Sequence, residues 1–278
     1  MVDMEGLAGI DEAALTKAGS PGWLSHGREL ATGDVIAAVE GASDAGADQV
    51  LVRDFHQSGC NVLTERLPAG ATYLGGEPLG AGRVPVFGVC DASFDALVMV
   101  GLHPMAGAQG FMPHTLNSTV AALGINGRPI GEIALFAGVA GHFGFPLVAV
   151  AGDAGAAQET AMLNLCIETA ITKSGSPAVS LVAPDVARAE IRAAARAGVS
   201  KAIAGRIAPV VFDTPVTMKY TPSRNASDLL VQIPRRVAGV TKTGSGTSLT
   251  WTGSDFLDAF VTLFHVHQRS GDHGRKQL

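Results

Sequence analysis

The sequence predicts an α/β protein: a mostly parallel sheet with flanking helices, then a smaller α+β portion at the carboxyl end. Three observations predict it. Strand-length apolar runs alternate with helix-length stretches through residues 1–200, the order that builds parallel sheets. Apolar residues make up 47% of the chain and charged ones only 16%, with 35 glycines, which suits buried strands and closely packed helices. Beyond about residue 205 the texture turns strand-rich and ends in one amphipathic stretch. The expected division is a catalytic α/β domain over 1–200 and a strand-rich portion over 201–278.

The elements follow in order. Val2-Asp3-Met4-Glu5-Gly6 reads as the end of a short buried strand. Side chains alternate along a strand, so Asp3 and Glu5 would share a face, about 7 Å apart at Cα. Two like charges there are costly without a cation between them. Residues 34–47 predict a helix with Val35, Ile36 and Val39 on one face, leading into a strand over 49–54. Further strands are expected at 95–100 and 146–151, with a helix over 131–142 between them. Then come a helical stretch at 156–166, an apolar run at 178–182 and a helix over 185–197 behind Pro184. Residues 210–212, 216–220 and 229–233 read as strands and 243–247 as a flexible turn. Ser254 reads as the N-cap of a terminal helix carrying Phe256, Phe260 and Phe264.

Composition narrows the function. The 278 residues suffice for one large or two modest domains. A net charge of −5 without a basic stripe argues against nucleic acid. No apolar run approaches the ~18 residues of a membrane span, and no charged-then-apolar leader opens the chain. Cys60, Cys90 and Cys166 have no paired spacing, so they read as small buried hydrophobes in a reducing cytoplasm.

Polar residues gather at the expected strand ends. Asp3 and Glu5 close the first strand, His56 follows the second, His103 follows the third, and Glu132 opens the helix at 131. In open parallel sheets, ligands bind beyond the carboxyl ends of the strands. Two histidines with three carboxylates suit two divalent metals with one bridging carboxylate. The mixed nitrogen and oxygen set favours zinc and is compatible with manganese or cobalt. Such a centre suits hydrolysis of an amide bond. His114, on a Gly- and Met-rich loop, is placed to protonate a leaving amine or steady an oxyanion.

Other polar residues read as structural. Asp153 is expected to cap the following helix or to orient a ligand histidine. Lys173 and Glu159 have no position fixed by pattern. His142 reads as a packed or capping residue at an apolar helix end, and His26, His265, His267 and His273 as surface or helix-end residues. The glycines of 138–144 close a helix instead of opening one, so they read as packing and C-cap residues.

Several of these segments, in order, resemble one family. Val-Asp-Met-Glu-Gly at 2–6, Asp-x-His at 54–56, Gly-Leu-His-Pro-Met-Ala-Gly at 101–107, His-Thr at 114–115, Asn-Gly at 126–127 and Gly-Glu at 131–132 are similar to the DppA-type D-aminopeptidases, peptidase family M55. Order and spacing agree over roughly residues 1–200. The resemblance implies a dinuclear zinc aminopeptidase acting on short peptides. In it Asp3 would bridge both ions, Glu5 and His103 would complete one site, His56 and Glu132 the other, and His114 would be catalytic. It also implies a large ring-like homo-oligomer, a decamer by family pattern. The chain departs from the family at Asp54-Phe55-His56-Gln57, where Asp-Ser-His-Gly is usual, and at Gly101-Leu102-His103-Pro104, where Gly-Tyr-His-Ala is usual. Its amino end is shorter than usual. The ligands survive these changes and the pocket neighbours do not, so a small non-peptide amide is the rival substrate. A non-catalytic nucleotide-binding or scaffold module is the rival of another class.

Overall fold

The computed structural model describes residues 1–76, 84–164, 166–176, 178–223, 239–243 and 248–271. Its centre is a parallel sheet built around the first residues of the chain. Strand β1 (Val50–Arg53) pairs in parallel with β2 (Ala71–Leu74), and β3 (Leu97–Leu102), β6 (Leu147–Asp153) and β7 (Glu168–Ser174) pair in parallel in that order. Val2 lies between the two groups and bridges Asp54 on one side and Val100 on the other, both in parallel. A short edge strand, β8 (Ser180–Leu181), runs antiparallel to β7.

The second sheet is antiparallel, in the order β10 (Thr241–Thr243), β11 (Ser248–Gly253), β9 (Val216–Pro222), β4 (Val120–Ile125), β5 (Arg128–Ile130). It therefore joins strands from either side of residue 200. The β4–β5 hairpin turns at Asn126 and Gly127, with φ of 49° and 80°. Two successive positive φ values match the twist of a tight hairpin, and Asn-Gly is the pair that accepts them most readily.

Helices α1 (Arg28–Asp44) and α4 (Pro184–Ile203) cover one face of the parallel sheet. Their contact is made of small side chains: Ala31, Ala37, Ala38, Ala194 and Ala195 share one core with Ala149, Ala151 and Ala170 of the sheet. Helix α2 (Glu132–His142) serves the other face. Every residue from Glu132 to Ala140 is buried, so this helix is apolar all round, as a central helix must be. It sits against the terminal helix α5 (Phe256–Gly271), whose Phe256, Phe260 and Phe264 belong to the same core. Helix α3 (Ala154–Leu163) follows β6 directly.

Most expected elements are present with shifted bounds. Helix α1 begins six residues before the expected Asp34, because its glycines serve close packing instead of breaking the helix. A methyl on Gly33 would meet the Arg188 guanidinium at 2.4 Å, and one on Gly41 would meet the Arg192 carbonyl at 2.3 Å. Helix α4 likewise runs past Ala197, because Gly198 lets it rest on the Val148 carbonyl. The reading of the glycines at 138–144 holds: a methyl on Gly141 would lie 1.8 Å from the Val210 carbonyl, and Gly144 has φ 91°.

Four expectations are corrected. Residues 210–212 form no strand; Phe212 instead stacks on Phe256 at 5.3 Å. The N-cap of α5 is Asp255, whose carboxylate accepts from Asp258 N at 2.9 Å, not Ser254. Cys60 and Cys166 are exposed, not buried hydrophobes. The opening strand is a single bridge at Val2, after which the chain turns, with Leu7 N–H bonded to the Met4 carbonyl. Strand alternation therefore does not relate Asp3 to Glu5. The expected strand at 229–233, residues 244–247 of the expected turn, and His273 lie outside the described residues.

Candidate metal centre

Asp3 stands at the carboxyl end of the sheet because its N–H bonds the Val100 carbonyl at 2.8 Å, fixing it between β1 and β3. The turn that follows is pressed onto β3, and a methyl on Gly6 would lie 1.9 Å from the Leu102 carbonyl. Lys173, fully buried at the end of β7, holds the same turn. Its Nζ donates to the carbonyls of Glu5 and Ile10, each at 2.5 Å. That anchorage, together with Asp3, aims Glu5 into the cleft.

His56 leaves the end of β1 in a turn organised by Asp54. The Asp54 carboxylate accepts from the Asn61 backbone at 2.7 Å, the Asn61 amide at 2.8 Å and the Tyr73 hydroxyl at 2.7 Å. Asn61 in turn donates to the His56 carbonyl at 2.8 Å and accepts from the Trp23 indole at 2.8 Å. His103 follows β3, and Glu132 opens α2 with Oε1 accepting the Leu116 N–H at 2.7 Å.

The five residues expected as ligands come together. His56 Nδ1 lies 2.7 Å from Asp3 Oδ1 and 3.3 Å from Glu5 Oε2. His103 Nε2 lies 3.3 Å from Asp3 Oδ2 and 3.5 Å from Glu132 Oε1. Asp3 thus offers one oxygen to each imidazole. The carried-over pairing set Glu5 with His103 and His56 with Glu132; the distances instead group Glu5 with His56 and Glu132 with His103. All five side chains are buried.

Tautomers follow from the other ring nitrogens. His56 Nε2 is 3.0 Å from the Thr16 carbonyl and His103 Nδ1 is 3.0 Å from the Pro104 carbonyl. A carbonyl only accepts, so those nitrogens carry protons. In the neutral rings, the remaining nitrogen of each turns a lone pair towards carboxylates. Glu5 Oε2 and His103 Nε2 are buried with no hydrogen-bond partner. Converging lone pairs with orphaned buried atoms fit a divalent cation, and carbonyls behind the imidazoles are the usual support for ligating histidines.

Protons answer the same electrostatic demand. Burial pushes His56 down, but the Asp3 and Glu5 carboxylates outweigh it and hold the imidazole well above its ordinary value. His103 is likewise depressed by burial and raised further by Asp3 and Glu132. Burial raises Asp3, yet His103 and His56 carry it well below the usual carboxylate range.

His114 stacks on His103, with ring centroids 3.8 Å apart and planes 10° from parallel. Its Nδ1 lies 2.9 Å from the Met112 carbonyl, so Nδ1 is protonated and Nε2 is the nitrogen left for chemistry. Its donor atom lies within 4.8 Å of those of His103 and Glu132; Asp3, Glu5 and His56 form a second such group. The His114 loop is held in costly conformations, with Met112 at φ 48° and Leu116 at φ 64°. Each costs on the order of 1–3 kcal/mol and persists only where neighbours enforce it.

The centre opens into a cavity of about 590 Å³. Val86, Leu116, Phe136 and Phe264 give it apolar walls, while Asn117 and His267 add a polar one. A larger cavity of about 940 Å³, at the other end of the strands, is lined mainly by apolar residues such as Val35, Val39 and Leu97.

Two supporting residues, Glu159 and Lys173, had no legible position, while Asp153 takes the expected capping role. Glu159, buried on α3, accepts from Gly131 N at 2.9 Å and Met105 N at 3.2 Å, tying together the segments that carry Glu132 and His103. Lys173 lies under the Glu5 turn. Asp153 caps α3 through Gly155 N at 2.7 Å and also accepts from Phe111 N at 3.3 Å. His267 corrects the surface reading: it is buried and reaches the cavity. Periodicity carried that signal, since 267 continues the buried stripe of 256, 260, 263 and 264, whereas His265 is exposed.

A parallel α/β core with a buried carboxylate–imidazole cluster at its strand ends defines an α/β protein suited to divalent-metal chemistry. The particular family follows from comparison. The chain belongs to the Peptidase_M55 D-aminopeptidase family, whose model matches residues 1–264. A curated D-aminopeptidase of Bacillus subtilis (strain 168) is 32% identical over 172 residues, 62% of this chain and 61% of that protein, so the match spans about three fifths of the relative. The solved structure described as the Zn-dependent D-aminopeptidase DppA from Bacillus subtilis, a self-compartmentalizing protease, superposes with a TM-score of 0.86. That likeness covers 97% of this chain and 96% of the other at 23% identity, and shows the shared fold.

Proposed function

We propose that this protein is a zinc-dependent aminopeptidase that releases an N-terminal residue, of D configuration, from short peptides. The observation that carries the reading is the Asp3 carboxylate set between two imidazoles, with Glu5 beside one and Glu132 beside the other. In this reading Asp3, Glu5 and His56 hold one divalent ion and Asp3, His103 and Glu132 the second. Bound there, the pair supplies an activated water and polarises the scissile carbonyl.

The chain's own groups do the rest. The Thr16 and Pro104 carbonyls keep His56 and His103 in the ligating tautomer. The Leu116 N–H orients Glu132. His114, protonated at Nδ1 towards Met112, moves a proton at Nε2 to the departing amine. The apolar wall of Val86, Leu116, Phe136 and Phe264 excludes bulk water and receives a small side chain. The replacement of the family's usual serine by Phe55, which lines the cavity, supports a narrower apolar subsite and keeps simple amides as the second reading. The free cysteines support a cytoplasmic setting. The family likeness supports assembly into a ring-like, decameric homo-oligomer.

Zinc measured per chain, alongside turnover of D- and L-alanyl anilides and simple amides, tests the reading. Two zinc ions with turnover of the D-alanyl substrate are expected. Turnover of simple amides alone moves the assignment to an amidase, and a protein that takes up no metal refutes it. His114→Ala should keep both ions and lose about 10²–10⁴-fold in kcat. Loss of one ion instead would make His114 a ligand.

A further inference from the structure

The terminal helix α5 reaches the centre through a polar contact. Asn117 Nδ2 lies 3.0 Å from His267 Nε2, across 150 residues of sequence. The direction of this bond is fixed by Asn117 itself. Its Oδ1 accepts from Thr119 N at 2.8 Å and Thr119 Oγ1 at 2.5 Å, so the amide nitrogen faces the imidazole. His267 Nε2 therefore accepts, and the ring is neutral in this arrangement.

Asn117 closes the segment that carries the reactive groups. Its N–H bonds the Thr115 carbonyl at 2.7 Å, and its own carbonyl accepts from Val120 N at 3.2 Å. Leu116, next to it, is the left-handed residue whose N–H holds Glu132. His114, three residues back, stacks on His103. A turn with left-handed residues at Met112 and Leu116 needs tertiary restraint. Restraint from its own neighbours comes through Pro104, whose carbonyl accepts His114 N at 3.1 Å, and Thr115, whose hydroxyl accepts Ala106 N at 3.1 Å. On the far side of the turn, His267 adds a restraint through Asn117.

We propose that His267 is a positioning residue: through Asn117 it locks the 112–119 turn so that His114 stays stacked over His103 and the Leu116 N–H stays on Glu132. This rests on the aminopeptidase reading for its kinetic consequence and on geometry alone for its structural one. The carboxyl-terminal helix is then part of the reactive centre's framework, and not only a cover for the second sheet.

The test compares His267→Phe, which keeps a ring of similar size and removes the acceptor, with His267→Gln, whose side-chain oxygen can take the Asn117 proton. Two readouts are taken on the full-length protein. Amide hydrogen exchange of Leu116 and Asn117 reports the turn whether or not any substrate is found. Steady-state kinetics on a D-alanyl anilide report its effect on reaction. His267→Phe is expected to speed exchange at those amides at least tenfold and to lower kcat at least tenfold with KM within about threefold. His267→Gln should restore protection and at least a third of kcat. Should His267→Phe fail to fold, Asn117→Ser removes the donor from the other side and should show the same exchange and kcat losses. Exchange in His267→Phe equal to that of the unaltered protein overturns the proposal, as does a Gln variant no better than the Phe one. A rise in KM alone also overturns it, because that marks direct substrate contact. If the unaltered protein turns over no aminoacyl substrate, the functional reading fails and the exchange measurement still decides the role of His267.

Discussion

Glu159 shows how much a single buried carboxyl can decide at this centre. It bonds the backbone on both sides of the cleft, at Gly131 and Met105, and leaves Gly131 no room for a side chain, since a methyl there would lie 2.4 Å from Oε1. Burial raises its carboxyl from the ordinary 4.5 to about 7, against the pull of the two N–H donors. Between those values the folded metal-free protein holds a proton that the unfolded chain has released. The unfolded state then binds fewer protons, so stability falls as pH rises across the window, by on the order of 3 kcal/mol for this group. Glu159→Gln cannot titrate and should flatten that slope in urea unfolding of the metal-free protein at a series of pH values. An unchanged slope would show that Glu159 ionises normally when folded. Its role was invisible in the sequence because an acid on a helix has no periodicity that names its partner. The five ligand candidates, by contrast, were found from their places: Asp3, Glu5, His56 and His103 at expected strand ends and Glu132 at the start of a helix.

At the scale of elements, the decisive contact is the one between the chain's first residues and β3. Gly101 has φ 82°, and a methyl on it would lie 2.1 Å from the Asp3 carbonyl. That backbone conformation strongly favours glycine. Gly101→Ala should cost about 1–3 kcal/mol in unfolding free energy and move Asp3. Because Asp3 faces both imidazoles, bound zinc should fall for both sites together; loss confined to one site would count against a bridging Asp3. The elements read best from sequence were those with long clean patterns, such as α2 and β6. Strands β2, β4 and β5 are short and half-exposed, and β4 also pairs with β9 far along the chain, features that local pattern registers poorly. The β4–β5 hairpin did carry a local sign in Asn126-Gly127, whose two positive φ values are what that dipeptide accepts.

Over the whole molecule, five side chains from four separate segments meet in the folded state alone, so metal binding must draw on folding free energy. Zinc at a hundredfold excess over its dissociation constant should stabilise the chelator-treated protein by about 2.7 kcal/mol per site. For a chain of this size that raises the melting temperature by roughly 5–10 °C, measurable by differential scanning calorimetry. No upward shift would mean that the cluster holds no ion. The assembly of the centre also draws on both sheets. The parallel sheet supplies Asp3, His56 and His103, while α5, lying on the antiparallel sheet, supplies Phe264 and His267 to the same cavity.

By itself the sequence determined the α/β class, the set of acids and imidazoles at the strand ends, and the family that shares them. Those are local properties: run lengths, hydrophobic period and residue types at fixed offsets. Only the tertiary structure decided which carboxylate faces which imidazole, that Glu5 arrives by a turn and not along a strand, and that His267 meets Asn117. These depend on contacts between residues as far apart as Glu5 and Lys173 or Asn117 and His267. Such pairs leave no mark in local spacing, because the free energy that selects them is realised only when the sheets and helices close together.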